Sequence, residues 1–357
     1  MKRAGQNPPP LENPMQTLLD PAILFFVFGV LAGALKSNLE IPPAIAKFLS
    51  LYLLMALGLK GGFALAKTGV DAQVLTSLGL AMAMAVVVPA LGWQLLKRRV
   101  SGFDAAAVAA SYGSVSAVTF VTALQVLESQ GIAAPGHMTV AMVLMETPAI
   151  VMAVVLASSL RHAARGAALV LPGTGGAATL AVGGPGGQGG GGTGPSLRQV
   201  LHESFTDGAH LLLLGSMVIG YLGGETGHAM MQPFTGDLFK GLLAFFLLDM
   251  GLLVARHFGA ARAQSPVLIA YAALGPLVHA AIALLLAVLL ALPVADAALL
   301  MVLSASASYI VVPAVLRHAV PEANPSLYLG LSLGITFPLN ILLGIPLYIH
   351  TARLVLG

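Results

Sequence analysis

Long apolar stretches separated by short polar or Pro/Gly-rich breaks set the pattern of this chain. They run over residues 21–36, 42–66, 72–96, 104–127, 138–160, 207–223, 238–256, 266–292, 295–316 and 326–352. A helix needs about 20 mostly apolar residues to cross a hydrocarbon core, fewer if it is short or broken. The pattern predicts an all-α membrane protein of about ten transmembrane helices. Pro42-Pro43, Lys97-Arg98-Arg99, Ala134-Pro135-Gly136, Gly223-Gly224 and Pro321-Glu322 punctuate the runs.

Between the fifth and sixth runs lies a low-complexity stretch, Arg161 to Pro195. Its core, Gly183 to Gly192, has the composition of a flexible linker. A phosphate-binding loop would need Gly-Lys-Ser/Thr opening a helix, which the stretch lacks. The expected division is a polar N-terminus over 1–20, a five-helix repeat over 21–160, a linker over 161–206 and a second five-helix repeat over 207–357.

Composition agrees with a lipid environment. The chain is 57% hydrophobic and 9% charged, with mean hydropathy +0.91. A soluble domain carries roughly 25% charged residues. A net charge of +3 fits basic cytoplasmic loops and gives no reason to expect a nucleic-acid partner. The absence of cysteine excludes disulfides, Fe–S clusters and thiolate metal sites. Met1 to Pro21 lacks a signal-peptide layout, so the first run is expected to stay as a membrane helix.

Loop charge predicts orientation. Loops after odd-numbered runs hold Lys36, Lys97, Arg98, Arg99, Arg161, Arg165, Arg198, Arg256, Arg262 and Arg317. Lys2, Arg3, Lys67, Lys240 and Arg353 lie on the other side. Basic residues mark the cytoplasm, so both termini are expected outside and the linker inside, in a multi-pass inner-membrane protein.

The halves align. Ser114 to Leu124 in run four matches Ser306 to Leu316 in run nine; Met55 to Lys60 in run two matches Leu248 to Leu253 in run seven; Glu146-Thr147-Pro148 in run five matches Thr336-Phe337-Pro338 in run ten. Five helices per half puts the second half upside down relative to the first. Inverted repeats with broken helices at the midplane are a recurring transporter plan. Runs four and nine carry the expected small polar residues. The solute-binding candidates are Gly113, Ser114, Ser116 and Thr119 in run four, with Ser304, Ser306 and Ser308 in run nine. Hydroxyls and helix N-termini there can replace an anion's hydration shell. The alternative is that these small residues only let helices pack closely.

Ionisable groups in lipid cost about 2.5–3.5 kcal/mol each on insertion scales, so each needs a reason. Lys60, Glu146 and Asp249 are the deepest. Lys60 and Asp249 occupy near-equivalent points of runs two and seven and are expected to pair, either as a lock between halves or in ion coupling. Glu146 either binds a proton or cation, or bonds backbone freed by Pro148. His210 and His279 read as core histidines. His-Glu-x-x-His and Gly-x-Ser-x-Gly enzyme signatures are absent.

Ile41-Pro42, Gly58 to Gly62, Gly113 to Leu124 with Leu127-Glu128-Ser129, Pro313 to Arg317, Pro321 to Tyr328 and Gly344 to Leu347 together resemble the sodium-dependent bicarbonate transporter family. The resemblance spans nearly the whole chain outside the N-terminus and linker. It implies an inverted-repeat permease, usually a homotrimer, importing bicarbonate with Na+ as the co-transported ion and no other cofactor. In cyanobacterial members it also implies control by a small PII-like protein on the cytoplasmic face. By position it assigns Gly113, Ser116, Thr119, Ser306 and Ser308 to the solute and sodium site. This chain departs from the family pattern at Tyr309, where an Asp is usual. Val311-Val312 replace Ser-Gly, and Ala314 replaces one proline. Tyr309 therefore joins Glu146, Asp249 and Lys60 as a candidate that sets ion coupling. The rival readings are a five-plus-five carrier of another small organic anion, driven by sodium or protons, and a non-transporting sensor or scaffold.

Overall fold

The computed structural model describes residues 19–69, 71–169 and 208–357. The expected N-terminal segment and the glycine-rich part of the linker lie outside these residues. Among the described residues all regular structure is helical.

Among the described residues seven stretches are long and apolar enough to cross a membrane, and two shorter apolar helices accompany them. The first helix, α1 (Pro21–Ala34), is one of the short ones. Its 14 residues span only about 21 Å at 1.5 Å per residue. Asp20 caps it, its carboxylate accepting from the Ala22 amide at 2.8 Å. α2 (Pro43–Thr68) and α3 (Ala72–Leu96) follow. Two half-helices come next, α4 (Gly102–Gly113) and α5 (Ala117–Ser129). α6 (His137–Leu169) runs eight residues past Arg161, where the linker was expected to begin.

Gly208 to Arg262 is a 55-residue helical stretch. Straight, it would reach about 80 Å, more than twice a hydrocarbon core. Two features divide it. Gly224 leaves helical geometry with φ 53° and ψ −144°, which a side chain would disfavour. The π-helical segment Pro233–Asp237 then separates α7 (Gly208–Gln232) from α8 (Leu238–Arg262). α9 (Pro266–Leu289) leads to a second pair of half-helices, α10 (Val294–Ala305) and α11 (Val311–Ala319). The last stretch holds α12 (Pro325–Leu331), α13 (Phe337–Leu339) and α14 (Ile345–Leu356), joined by the π-helical segments Ser332–Thr336 and Asn340–Gly344.

Two close helix seams join the parts of the chain on either side of the linker. α2 lies along α7, and α1 along α8. Lipid gives helices no hydrophobic reason to associate, so small residues that admit close backbone approach carry such seams. A Cβ added at Gly58 would stand 2.4 Å from the Leu213 carbonyl oxygen, and one at Gly62 2.1 Å from that of Met217. In the other seam a Cβ at Gly29 would meet the Leu248 oxygen at 2.3 Å, and one at Gly251 the Phe26 oxygen at 2.2 Å.

α4 and α10 sit at the centre. Every residue from Ala105 to Gly113 and from Asp296 to Ala305 is buried. Carboxylates in their first turns reach across the molecule. Asp104 accepts from the Asn324 amide at 2.8 Å. Asp296 accepts from the Ser77 hydroxyl at 2.8 Å and meets His137 Nε2 at 2.5 Å.

Candidate functional site: the crossing of two broken helices

The first break follows Gly113, which is packed so tightly on α3 that an added Cβ would lie 2.4 Å from Pro89 Cγ. Ser114 and Ser116 are extended, with φ of −93° and −104°. Ser116 restarts the helix as N-cap, its hydroxyl accepting from the Thr119 amide at 3.2 Å. In the second break α10 ends at Ala305, whose carbonyl accepts from Asn340 Nδ2 at 2.8 Å. Ser308 Oγ then accepts from the Val312 amide at 3.3 Å, at the start of α11.

The two breaks touch. The Ser308 amide donates to the Ser111 carbonyl at 2.7 Å. The Ser116 amide donates to Ser306 Oγ at 3.0 Å, and Ser116 Oγ donates to the Tyr309 hydroxyl at 3.3 Å. Tyr309 is held further by ring contact with Phe337, centroids 5.2 Å apart.

Beside the crossing is a cavity of about 590 Å³. Ser50, Ser116, Ser308, Tyr309, Glu146, His210 and Lys47 supply its polar side chains. Ala117, Val118, Ile310 and Val311 line it too, so the starts of α5 and α11 both face it. First-turn amides of a helix have no intrahelical partner.

Of the residues expected to hold a solute, Ser116 and Ser308 line this cavity and the others are not among its lining. Gly113 faces Pro89. Thr119 donates to Ser116 Oγ at 3.0 Å, and Ser306 donates to the Leu303 carbonyl at 2.9 Å. The Ser114 and Ser304 hydroxyls are buried with no hydrogen-bond partner among the described residues.

The expected Lys60–Asp249 pair does not form. Lys60 Nζ bonds both Glu128 oxygens, at 2.8 and 3.0 Å, and sits 4.4 Å from the centroid of the Phe239 ring. Lys60 and Glu128 lie at a second cavity of about 670 Å³, with Lys67, Glu225 and His228. Asp249 is half-buried on α8. In the alignment of the halves Lys60 matches Leu253 and Asp249 matches Ala56, so the two charges are not at equivalent points, and Glu128 in the last turn of α5 meets Lys60 instead.

His210 is not an isolated core histidine. Its Nε2 pairs with a Glu146 carboxylate oxygen, both groups buried. The sequence signal existed: two polar groups in apolar runs on either side of the linker each needed a partner. His279 is buried, with its ring 6.2 Å from that of Tyr271. At one end of the molecule Arg161 Nε and Nη2 each donate to Glu322 at 2.7 Å. Hydrogen bonding from Arg161 holds the Glu322 carboxyl below its ordinary value, against a smaller opposing effect of burial.

Helical throughout its described residues, with seven membrane-length apolar stretches among them and a polar crossing inside, the chain is a multi-pass membrane protein of the transporter class. Residues 21–353 match the family model of the Na+-dependent bicarbonate transporter superfamily, and the chain belongs to that superfamily. No curated protein matches the chain significantly.

Proposed function

We propose that this protein is a secondary permease that imports a small anion, bicarbonate first, through the cavity at the helix crossing, in a bacterial inner membrane. The observation that carries the reading is the meeting of two broken helices beside a cavity that receives both second-half N-termini. Those N-termini offer amides and a positive dipole end to an anion. Lys47 adds a positive charge at the cavity, weakened by solvent screening. Arginine is absent from both breaks, which suits the weak binding a carrier needs.

Ten crossings in two inverted halves is the architecture we propose. The seams support it. Gly58 and Gly62 of α2 meet α7 as Gly251 of α8 meets α1, and Met55 to Lys60 aligns with Leu248 to Leu253. The matched breaks support it too. Sodium is the co-transported ion that the superfamily description suggests. Half-helix carbonyls and hydroxyls are suitable hard oxygen ligands.

Labelled bicarbonate uptake in cells lacking other carbon uptake, with and without sodium, tests the reading. We expect uptake above cells carrying an empty vector. Its absence, in protein shown to reach the membrane, overturns bicarbonate as the solute. A second reading is carriage of a small organic anion. It is favoured by a cavity of about 590 Å³, far larger than a four-heavy-atom ion requires, with Tyr309 on its wall. Competition of uptake by short carboxylates separates the two.

A further inference from the structure

Glu146 and His210 form an acid–base pair in the wall of the crossing cavity. They come from α6 and α7, 64 residues apart across the linker. Glu146 is 6% exposed and His210 8%. A bare carboxylate buried this deeply is costly, and an imidazole against it lowers that cost most when it carries a proton.

We propose that the Glu146–His210 pair is a proton-binding site that shares the solute's cavity, and that each anion enters with a proton held on the pair. The inference rests on the reading that the cavity admits an anion. Taking up one proton makes the wall one charge more positive, whatever else the pair touches. Like charges repel strongly where water is scarce, so an anion binds the protonated pair in preference. Linkage makes the effect mutual: the anion raises proton affinity by the factor that the proton raises anion affinity. No bond other than the N–H of His210 forms or breaks. Imidazole gains and loses a proton between about pH 5 and 8, the range a cell meets.

The other charged or titratable groups facing this cavity among the described residues are few. Lys47 of α2 is exposed, so solvent screens its charge. Tyr309, between α10 and α11, takes its hydrogen bond from Ser116. α5 and α11 contribute only the apolar side chains of Ala117, Val118 and Val311.

A lock between α6 and α7 is the rival role, and it predicts no proton dependence of transport. Infrared difference spectra of the lipid-reconstituted protein, taken between about pH 5 and 8, test the proton directly. Carboxylate and imidazole bands should change together and disappear from both E146Q and H210Q. Labelled bicarbonate uptake at one fixed bicarbonate concentration should fall about tenfold per pH unit above the pair's pKa. The double variant E146Q/H210Q keeps a neutral hydrogen-bonding pair if a single variant fails to fold, and its uptake should not follow pH. Identical proton-linked bands in parent and H210Q overturn the proton site, whatever is carried. A double variant with a profile as steep as the parent's overturns the link to the anion. Pair-specific bands without bicarbonate uptake would uphold the proton site and remove bicarbonate as the solute.

Discussion

The Ser308 amide donates to the Ser111 carbonyl over 2.7 Å, joining the two broken helices backbone to backbone. This bond needs no side chain, so the crossing survives changes at Ser308 itself. The Ser308 hydroxyl remains at the cavity, engaged only by the Val312 amide at 3.3 Å among the described residues. Ser116 is different. Its hydroxyl accepts from Thr119 twice and donates to Tyr309.

Ser308→Ala is therefore the cleaner probe of the solute site. We expect transport to fall about tenfold, the equivalent of about 1.5 kcal/mol from one hydrogen bond to a charged solute. Stability should fall by less than about 1 kcal/mol. Ser116→Ala removes an N-cap and should cost about 1–2 kcal/mol as well. Uptake per folded protein, beside thermal unfolding in detergent, separates the two effects. Parent-rate uptake by Ser308→Ala would mean that its hydroxyl does not touch the solute.

Lys60 is coupled to Glu128 and not to Asp249. A double-mutant cycle with K60Q and E128Q should return a coupling of about 0.2–1 kcal/mol, the range of partly exposed pairs. The cycle with K60Q and D249N should be additive within about 0.5 kcal/mol. Coupling in the second cycle alone would reverse the assignment.

The glycine seams are intolerant. Gly62→Ala drives a methyl to 2.1 Å of the Met217 oxygen, and Gly251→Ala to 2.2 Å of the Phe26 oxygen. Backbone cannot yield as a side chain can, so each should cost about 1–3 kcal/mol. Gly79→Ala, with open space at its Cβ, should stabilise by about 0.5–1 kcal/mol through helix propensity. Thermal unfolding of the three variants gives the order.

Glu322 makes stability depend on acid. Its folded pKa is depressed, so the stabilisation from Arg161 is fully present above the ordinary carboxylate value and is lost as pH falls through the folded value. Parent protein should lose part of its thermal stability in that acidic window. E322Q should start lower at neutral pH and lose less on acidification. Parallel pH profiles for the two would show that the pair contributes nothing.

Fusion reporters at Gly357 and Gly190 test orientation. The basic loops predict an extracytoplasmic C-terminus and a cytoplasmic Gly190. A cytoplasmic C-terminus would remove both the orientation and the inverted arrangement.

Apolar run length and small-residue clusters were the legible part of the sequence. The apolar runs coincide with the described helical stretches, and the serines of runs four and nine mark both breaks. Side-chain pairing was not legible. Asp249 aligns with Ala56, one helical turn or about 6 Å along α2 from Lys60, and Glu128 is the carboxylate that Lys60 meets. Gly113 reads as a ligand position because it adjoins serines; the close approach of Pro89, which also calls for glycine there, was not legible. The cavity wall escaped for another reason: Glu146 and His210 meet only once the chain has folded across its linker.

The glycine seams also set an order of biogenesis. Gly58 and Gly62 belong to a helix made early, but the surface they seal, α7, is translated only after α3 to α6 and the glycine-rich stretch. α1 waits longer still, for α8. The first five runs therefore reside in the bilayer as an incomplete bundle with bare grooves toward lipid. Translation of the second half completes the fold, so a ribosome that stalls in the linker leaves a membrane-inserted fragment with two unsealed grooves for quality-control proteases to recognise.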